Sequence, residues 1–264
     1  IGGLMRKILF LLVFLAVSSS FLLGFFSAVL LNNVFNPVIL PPAGGQGLAV
    51  LPAVSKLEAT TFIAAVDPNG NGSLNRAEVE IIDGKGRVLF NTNPFVEPDT
   101  QQSLENAARA AFSFTGKSMA GKDVIFSVTN TPAQLIGGPS AGGAFAVSSV
   151  AAIEGKKVKT DVAMTGTIDP QGNVGPIGGV IEKASAAAGQ GMKLFLVPAG
   201  QTKVNYYKEV VEEQKRGFVT IRRVRLVPQQ IDLNEYAKEN NLDIEIREIS
   251  TLKEAVDLML ESAA

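Results

Sequence analysis

The stretch VAMTGTIDPQGNVGPIGGVIEKASAAAGQGMKLFLVP (162–198) runs through two short β-like segments, a helix and a buried strand. Val162 to Thr167 and Asn173 to Ile177 are separated by the turn residues Asp169-Pro170-Gln171-Gly172. Gly179 to Ala188 has helical composition, and Leu194 to Val197 is a continuous apolar run bounded by polar residues, as a strand covered on both faces would be. Working outward, Thr60 to Val66, Ala77 to Ile82 and Arg87 to Phe90 are β-rich and predict a small meander. Asp99 to Ser118 carries Leu104, Ala107, Ala108, Ala111 and Phe112 on one helical face. Val124 to Val128 is a further strand, and Ser140 to Glu154 a helix of small residues. Beyond the stretch, the expected order is helix Val204 to Gln214, strand Thr220 to Leu226, helix Leu233 to Asn240, strand Leu242 to Ile246 and helix Leu252 to Ser262. The mixture predicts an α/β (α+β) fold with a mixed sheet, partly antiparallel near its start, and packed helices. No internal repeat is apparent.

The chain before this domain has a different character. After Arg6 and Lys7 the next charge is Lys56. Residues 8–31 are long and apolar enough to cross a bilayer as a helix. The two cations in front place residues 1–7 in the cytoplasm and the rest outside. A cleaved signal peptide, with Ser18-Ser19-Ser20 at the cleavage site, is the alternative and gives a secreted protein. It would leave apolar FLLGFFSAVLL (21–31) at a new N-terminus, so a retained membrane anchor is favoured. Residues 32–47 are a charge-free Pro/Gly linker. The globular core is expected over 48–200, with 201–264 as its C-terminal α/β part.

Of 264 residues none is cysteine or histidine, and the net charge is −1. Imidazole bases, thiolate nucleophiles and His/Cys metal sites are therefore excluded, and the balance of charge does not suit a nucleic-acid binder. Catalysis is left with hydroxyl, carboxylate and amine chemistry. In GGPSAGGAFAVSSVAAIEG (137–155), Gly138 and Pro139 form a turn that brings Ser140 to a helix start. Backbone N–H groups and the positive end of the helix dipole meet there, as an oxyanion hole requires. An ordinary Ser N-cap fits the same residues. A nucleophilic serine here needs lysine or a carboxylate as its base. Lys183 projects from a small-residue helical face beside Gly179, Val180, Ala186 and Ala187, where burial lowers an amine pKa. A lysine snorkelling to water is the competing account. Glu182 is turned about 100° away around the helix.

GPSAGG (138–143), AMTGTIDPQGNVGPIGGVIEKASAAAGQG (163–191) and LFLVP (194–198) together resemble the proteolytic domain of the Lon family of serine-lysine peptidases. The likeness is specifically to archaeal membrane-anchored or exported Lon-like proteases without the ATPase module. The resemblance implies Ser140 as nucleophile, Lys183 as general base and Thr165 holding the lysine amine through its hydroxyl. It implies polypeptide substrates, no required cofactor and a homo-oligomeric ring, a hexamer. Many Lon domains carry an acidic residue three positions before the nucleophile, where this chain has Gly137. Gly116-Lys117-Ser118 lacks the first glycine of a Walker A loop, so ATP-driven unfolding is not expected from this chain.

Asp67, Asn69, Asn71, Ser73 and Glu78 also fit the twelve-residue calcium-loop pattern D-x-N-x-N-G-x5-E. Flanking strands in place of helices favour a polar hairpin loop that matches by composition. Asn71-Gly72-Ser73 is a glycosylation sequon, relevant if this face lies outside the membrane. The region from Gln201 to Leu226, including the basic run Arg222-Arg223-Val224-Arg225, is either a substrate-facing insertion or a solvated face, the latter favoured. Two non-enzymatic alternatives stand beside the peptidase. One is a catalytically silent, membrane-anchored binding or assembly domain of the same fold. The other, weaker, is a calcium-dependent adhesion module.

Overall fold

A computed structural model of the chain describes residues 56–261, except 92, 130, 132, 217 and 218. The expected cytoplasmic terminus, anchor and linker at 1–7, 8–31 and 32–47 lie outside the described residues. Among the described residues no helix is long and apolar enough to cross a membrane.

A seven-stranded mixed sheet organises the chain. Its hairpin half is β1 (Leu57–Val66) and β2 (Gly72–Asp83), antiparallel, with β5 (Lys122–Thr129) antiparallel to β2 and β3 (Val88–Phe90) parallel to β5. Its parallel half continues from β1 through β7 (Val162–Met164) and β10 (Leu194–Pro198) to β13 (Glu245–Ile249). The resulting order is β13-β10-β7-β1-β2-β5-β3. Two-residue strands β4 (Phe95–Val96) and β6 (Leu135–Ile136) pair with each other, as do β8 (Thr167–Ile168) and β9 (Val174–Gly175). All of this lies in one compact unit, Ala53–Ala264.

Helices cover both faces because side chains alternate along every strand. On β10, Leu196 joins one apolar cluster while Phe195 and Val197 join the other, and on β7 Met164 and Ala163 divide likewise. The first cluster takes in α1 (Pro98–Thr115), α2 (Gly142–Glu154) and α5 (Leu252–Met259); the second takes in α3 (Val180–Gly189) and α4 (Leu233–Glu239). Helix α2 is buried from Gly142 to Ala152. A helix of small, mostly apolar residues, whose buried Ser148 and Ser149 hydroxyls bond back to its own carbonyls, suits an enclosed position where axes must approach closely. A Cβ at Gly143 would collide with the methyl of Met164, so glycine is what lets the helix start sit on β7. Phe145 meets Phe126 of β5 edge to face with centroids 5.0 Å apart.

Three expectations are corrected. Val204 to Gln214 is not a helix: β11 (Lys203–Arg216) and β12 (Val219–Asp232) form a separate two-stranded ribbon. The strand expected at Leu242 to Ile246 runs from Glu245 to Ile249, in parallel register with Leu194–Pro198. The early strands are not a simple meander, since β5 separates β3 from β2. The buried carboxylate of Asp123 explains that order. It accepts the amides of Lys85 (2.8 Å) and Arg87 (3.0 Å) and the guanidinium of Arg87, folding the chain after β2 back beside β5. The Arg87 guanidinium and these amides hold the Asp123 pKa well below the usual carboxylate range.

Candidate active site

Ser140 and Lys183 come from opposite layers of the sandwich. Lys183 sits in the first turn of α3 on one face of the sheet, and Ser140 precedes α2 on the other. They meet beyond the carboxyl ends of the parallel strands β1 and β7, the place where open α/β sheets bind ligands. The Lys183 Nζ is 2.8 Å from Ser140 Oγ. Lys183 is only 5% exposed. Burial pushes its pKa down from the ordinary 10.5 to about 8, against a smaller upward pull from Glu182. The amine is hydrogen-bonded to a hydroxyl and makes no ion pair among the described residues, so at mildly alkaline pH much of it is neutral and able to accept a proton.

Ser140 is not the helix cap. Helix α2 begins at Gly142 with Ala141 as N-cap and no side-chain capping bond. The Ser140 carbonyl is instead drawn to the end of β7, accepting from Gly166 N–H at 2.8 Å and from the Thr165 hydroxyl at 3.3 Å. Thr165 therefore positions the serine backbone, and the expected hydrogen bond from its hydroxyl to the lysine amine is not made. Pro139 has no N–H to offer an oxyanion. Among the described residues the amides of Gly138, Ser140 and Ala141 donate to no protein acceptor, so these are the N–H groups available to a developing negative charge.

Two side chains that sequence reading missed fix this turn. Thr100 and Ser103, both buried on α1, donate to the carbonyls of Gly138 (3.1 Å) and Pro139 (2.9 Å). Tying those carbonyls to α1 orients the intervening peptides. The signal was present in the sequence as two hydroxyl residues beside the apolar face of an amphipathic helix. A third unforeseen residue is Glu97: a Cβ at Gly137 would run into its carboxylate, which therefore fills the space that a side chain at 137 would enter.

A cleft of about 790 Å³ opens onto the pair. Ile63, Val66, Leu135, Ile136 and Ile177 contribute apolar wall, and Ser140 and Lys183 line the same space.

The calcium-loop residues take another form. Asp67 accepts the amides of Asn69 (2.9 Å) and Asn71 (2.8 Å) and the Asn71 carboxamide (2.9 Å), within a five-residue turn between paired Val66 and Gly72. These bonds, the Asn71 carboxamide first, lower the Asp67 pKa. Ser73 accepts from Asn75 at 3.1 Å. Glu78 is opposite Thr60 and pairs with Arg76 at 3.1 Å. Six residues of strand from Gly72 put Glu78 about 20 Å from the turn. The structure thus does not bring Glu78 to Asp67, and among the described residues no three metal-ligating acids gather. The sequence Asp67-Pro68-Asn69-Gly70-Asn71 recurs as Asp169-Pro170-Gln171-Gly172-Asn173, which closes β8–β9 with the same bonds at 2.9, 2.8 and 2.7 Å. Gly70 and Gly172 adopt φ +84° and +87°, a conformation open mainly to glycine. The pattern is a hairpin turn used twice, a five-residue recurrence that corrects the expectation of no internal repeat.

Comparison with known proteins bears on the same residues. The family model for the Lon protease (S16) C-terminal proteolytic domain matches residues 130–234. A Lon protease of Neorickettsia sennetsu is 36% identical over 138 residues, 50% of this chain and 16% of that protein. The archaeal Lon protease of Archaeoglobus fulgidus is 27% identical over 204 residues, 77% of this chain and 30% of that protein. A Lon protease of Lachnoclostridium phytofermentans is 52% identical over 61 residues, 23% of this chain and 8% of that protein. The chain thus spans less than a third of the length of each of these relatives. The segment holding both Ser140 and Lys183 is homologous to the proteolytic domain of Lon proteases.

Proposed function

We propose that the chain is a serine endopeptidase that hydrolyses polypeptides with a Ser140–Lys183 dyad. The observation that carries this reading is the 2.8 Å hydrogen bond between a buried lysine amine and a serine hydroxyl that both line an apolar cleft. Homology to Lon proteolytic domains supports the peptidase class. Neutral Lys183 takes the Ser140 proton as Oγ attacks the scissile carbonyl, and the amides near Ser140 bind the oxyanion. The lysine ammonium protonates the leaving amine, and water, deprotonated by the same lysine, releases the acyl group. The nucleophile and base are already within hydrogen-bonding reach, so the bond-breaking step is proposed to need no ATP. The segment 8–31 is proposed to anchor the domain in a membrane, with the cleft on the extracytoplasmic side, as a ring of identical chains.

The test is hydrolysis of an unfolded, fluorophore-labelled polypeptide by the wild-type chain, Ser140→Ala and Lys183→Ala. Loss of turnover in both variants, with unchanged circular dichroism, is the expected result. Full turnover in either one overturns the dyad, and absence of turnover in the wild-type chain leaves the silent binding domain as the better account.

A further inference from the structure

Along β2 the core-facing positions are Ile81, Val79, Ala77 and then Asn75. The first three are 0–1% exposed and belong to the apolar cluster that takes in α1 and α2, so the alternation calls for an apolar residue next. Asn75 is 6% exposed, and a carboxamide at that depth costs free energy unless its polar atoms are paired. Its hydrogen bonding is incomplete. Asn75 Nδ2 donates to Ser73 Oγ at 3.1 Å, while among the described residues Asn75 Oδ1 accepts no hydrogen bond and the Ser73 hydroxyl donates none. Unlike the hydroxyls of Thr61 and Thr129, which are sealed in without a partner, this carboxamide lines the cleft that holds Ser140 and Lys183.

Register sets how far this group stands from the chemistry. Asn75 is opposite Ile63 on β1, and Ile63 is opposite Met164 on β7, so the three share one face of the sheet. Ser140 precedes α2 on that same face, and its carbonyl is bonded to Thr165 and Gly166, directly after Met164. Two inter-strand steps of about 4.8 Å put Asn75 about 10 Å from Met164, the span of about three residues of extended chain. A polypeptide whose carbonyl reaches Ser140 therefore brings a side chain to Asn75 and Ser73 within a few residues of the bond to be cleaved. The rest of the nearby wall, including Ile63, Leu135, Ile136 and Ile177, is apolar.

We propose that Asn75 and Ser73 form a specificity subsite for a neutral carboxamide side chain, glutamine or asparagine, of the polypeptide substrate. The assignment rests on the peptidase reading above. The substrate carboxamide donates an N–H to Asn75 Oδ1 and accepts from the Ser73 hydroxyl, so the open groups on both sides are paired. Leucine in the same place would strip water from Asn75 Oδ1 and the Ser73 hydroxyl and offer no partner in exchange. A substrate carboxylate would set an acceptor against the Asn75 carbonyl, beside the Asp67 carboxylate that lines the same cleft. A lysine ammonium can only donate. It would give up its water among apolar neighbours, and both Asp67 oxygens are already bonded to Asn69 and Asn71.

Binding separates this assignment from the chemistry. The full-length Ser140→Ala chain, in detergent, is titrated into fluorescein-labelled nine-residue Ala/Gly peptides carrying glutamine, leucine, lysine or glutamate at the centre, and anisotropy is recorded. The glutamine peptide is expected to bind at least about tenfold tighter than the other three. In Ser140→Ala/Asn75→Leu, which continues the apolar row of β2, the order should invert in favour of the leucine peptide. Ser73→Ala, at an exposed position, removes one of the two bonds without touching that row and should weaken the glutamine preference several-fold; thermal unfolding confirms that both variants fold. Equal affinity for the glutamine and leucine peptides, a glutamine preference that survives Asn75→Leu, or no binding of any peptide overturns the subsite. The wild-type chain is incubated with the same peptides and the products are read by mass spectrometry. Selective binding without cleavage supports the subsite and overturns the peptidase reading, whereas cleavage indifferent to the central residue overturns the subsite and leaves the dyad standing.

Discussion

In the cleft a buried lysine amine, Lys183 being 5% exposed, is held against the hydroxyl of half-buried Ser140; on the ribbon Val224 and Leu226 stand 55% and 62% exposed among charged neighbours. Each region inverts the ordinary distribution of polar and apolar groups. The inversions have different physical consequences. Burying an amine opposes folding and changes its chemistry, whereas exposing valine and leucine on a ribbon hardly affects the fold and leaves area for another surface. The first inversion requires the whole sandwich, since Ser140 and Lys183 arrive from opposite faces of the sheet. The second requires only a hairpin.

The largest effect expected from breaking this contrast is in the cleft. Ser140→Ala and Lys183→Ala should each lower kcat for peptide hydrolysis on the order of 10⁴-fold or more, measured as fluorophore release. Next comes pH. With the Lys183 pKa lowered to about 8, kcat/KM should rise about tenfold per unit below that value and level off above it.

Stability should respond to the same amine in a defined direction. The Lys183 pKa is about 8 in the folded chain and ordinarily 10.5, so between these values the unfolded chain binds the extra proton. Folding stability attributable to this group therefore rises with pH from about 8 to 10.5. The full penalty, on the order of 3 kcal/mol, applies below 8. Lys183→Met should raise the melting temperature at pH 7 and remove that part of the pH dependence, as scanning calorimetry would record. A smaller change is expected from Thr100→Val and Ser103→Ala, which release the carbonyls of Gly138 and Pro139. Each should lower kcat on the order of tenfold with KM little altered, and cost about 1 kcal/mol of stability. Least affected is the ribbon: Leu226→Ser should leave the unfolding free energy of the dilute chain within about 0.5 kcal/mol, measured in urea. A loss of several kcal/mol there would mean that Leu226 belongs to a core and erase the contrast.

How much of this the sequence revealed follows the same physics. Helix α1 was legible because one face is buried, so Leu104, Ala107, Ala108 and Ala111 recur with helical period. The parallel strand β10 was legible because both its faces are covered, giving an unbroken apolar run. Strand β11 was misread as helix for the opposite reason. Among the described residues of β11 only Val204, at its start, packs on an apolar cluster, so little imposes a two-residue alternation, and Val204, Tyr207 and Val210-Val211 mimic helical spacing in the sequence. Strand β13 was placed three residues early because Leu242 and Ile244 are apolar and pack on the core ahead of the paired segment. At the site, Ser140 and Lys183 were each legible from local composition and jointly from resemblance. The actual partner of Thr165 was not, because its hydroxyl turns to the Ser140 carbonyl through backbone geometry that no residue pattern encodes. Thr100 and Ser103 act across 36 to 38 residues of chain and became apparent only once α1 was packed against the turn.

The most direct measurement is covalent labelling of the full chain by a fluorophosphonate across pH 6 to 10, with the modified residue located by mass spectrometry. The account predicts one label on Ser140, at a rate rising through pH 8 and reduced by orders of magnitude in Lys183→Met. Labelling of Ser140 at a rate independent of pH and unaffected by Lys183→Met would contradict it.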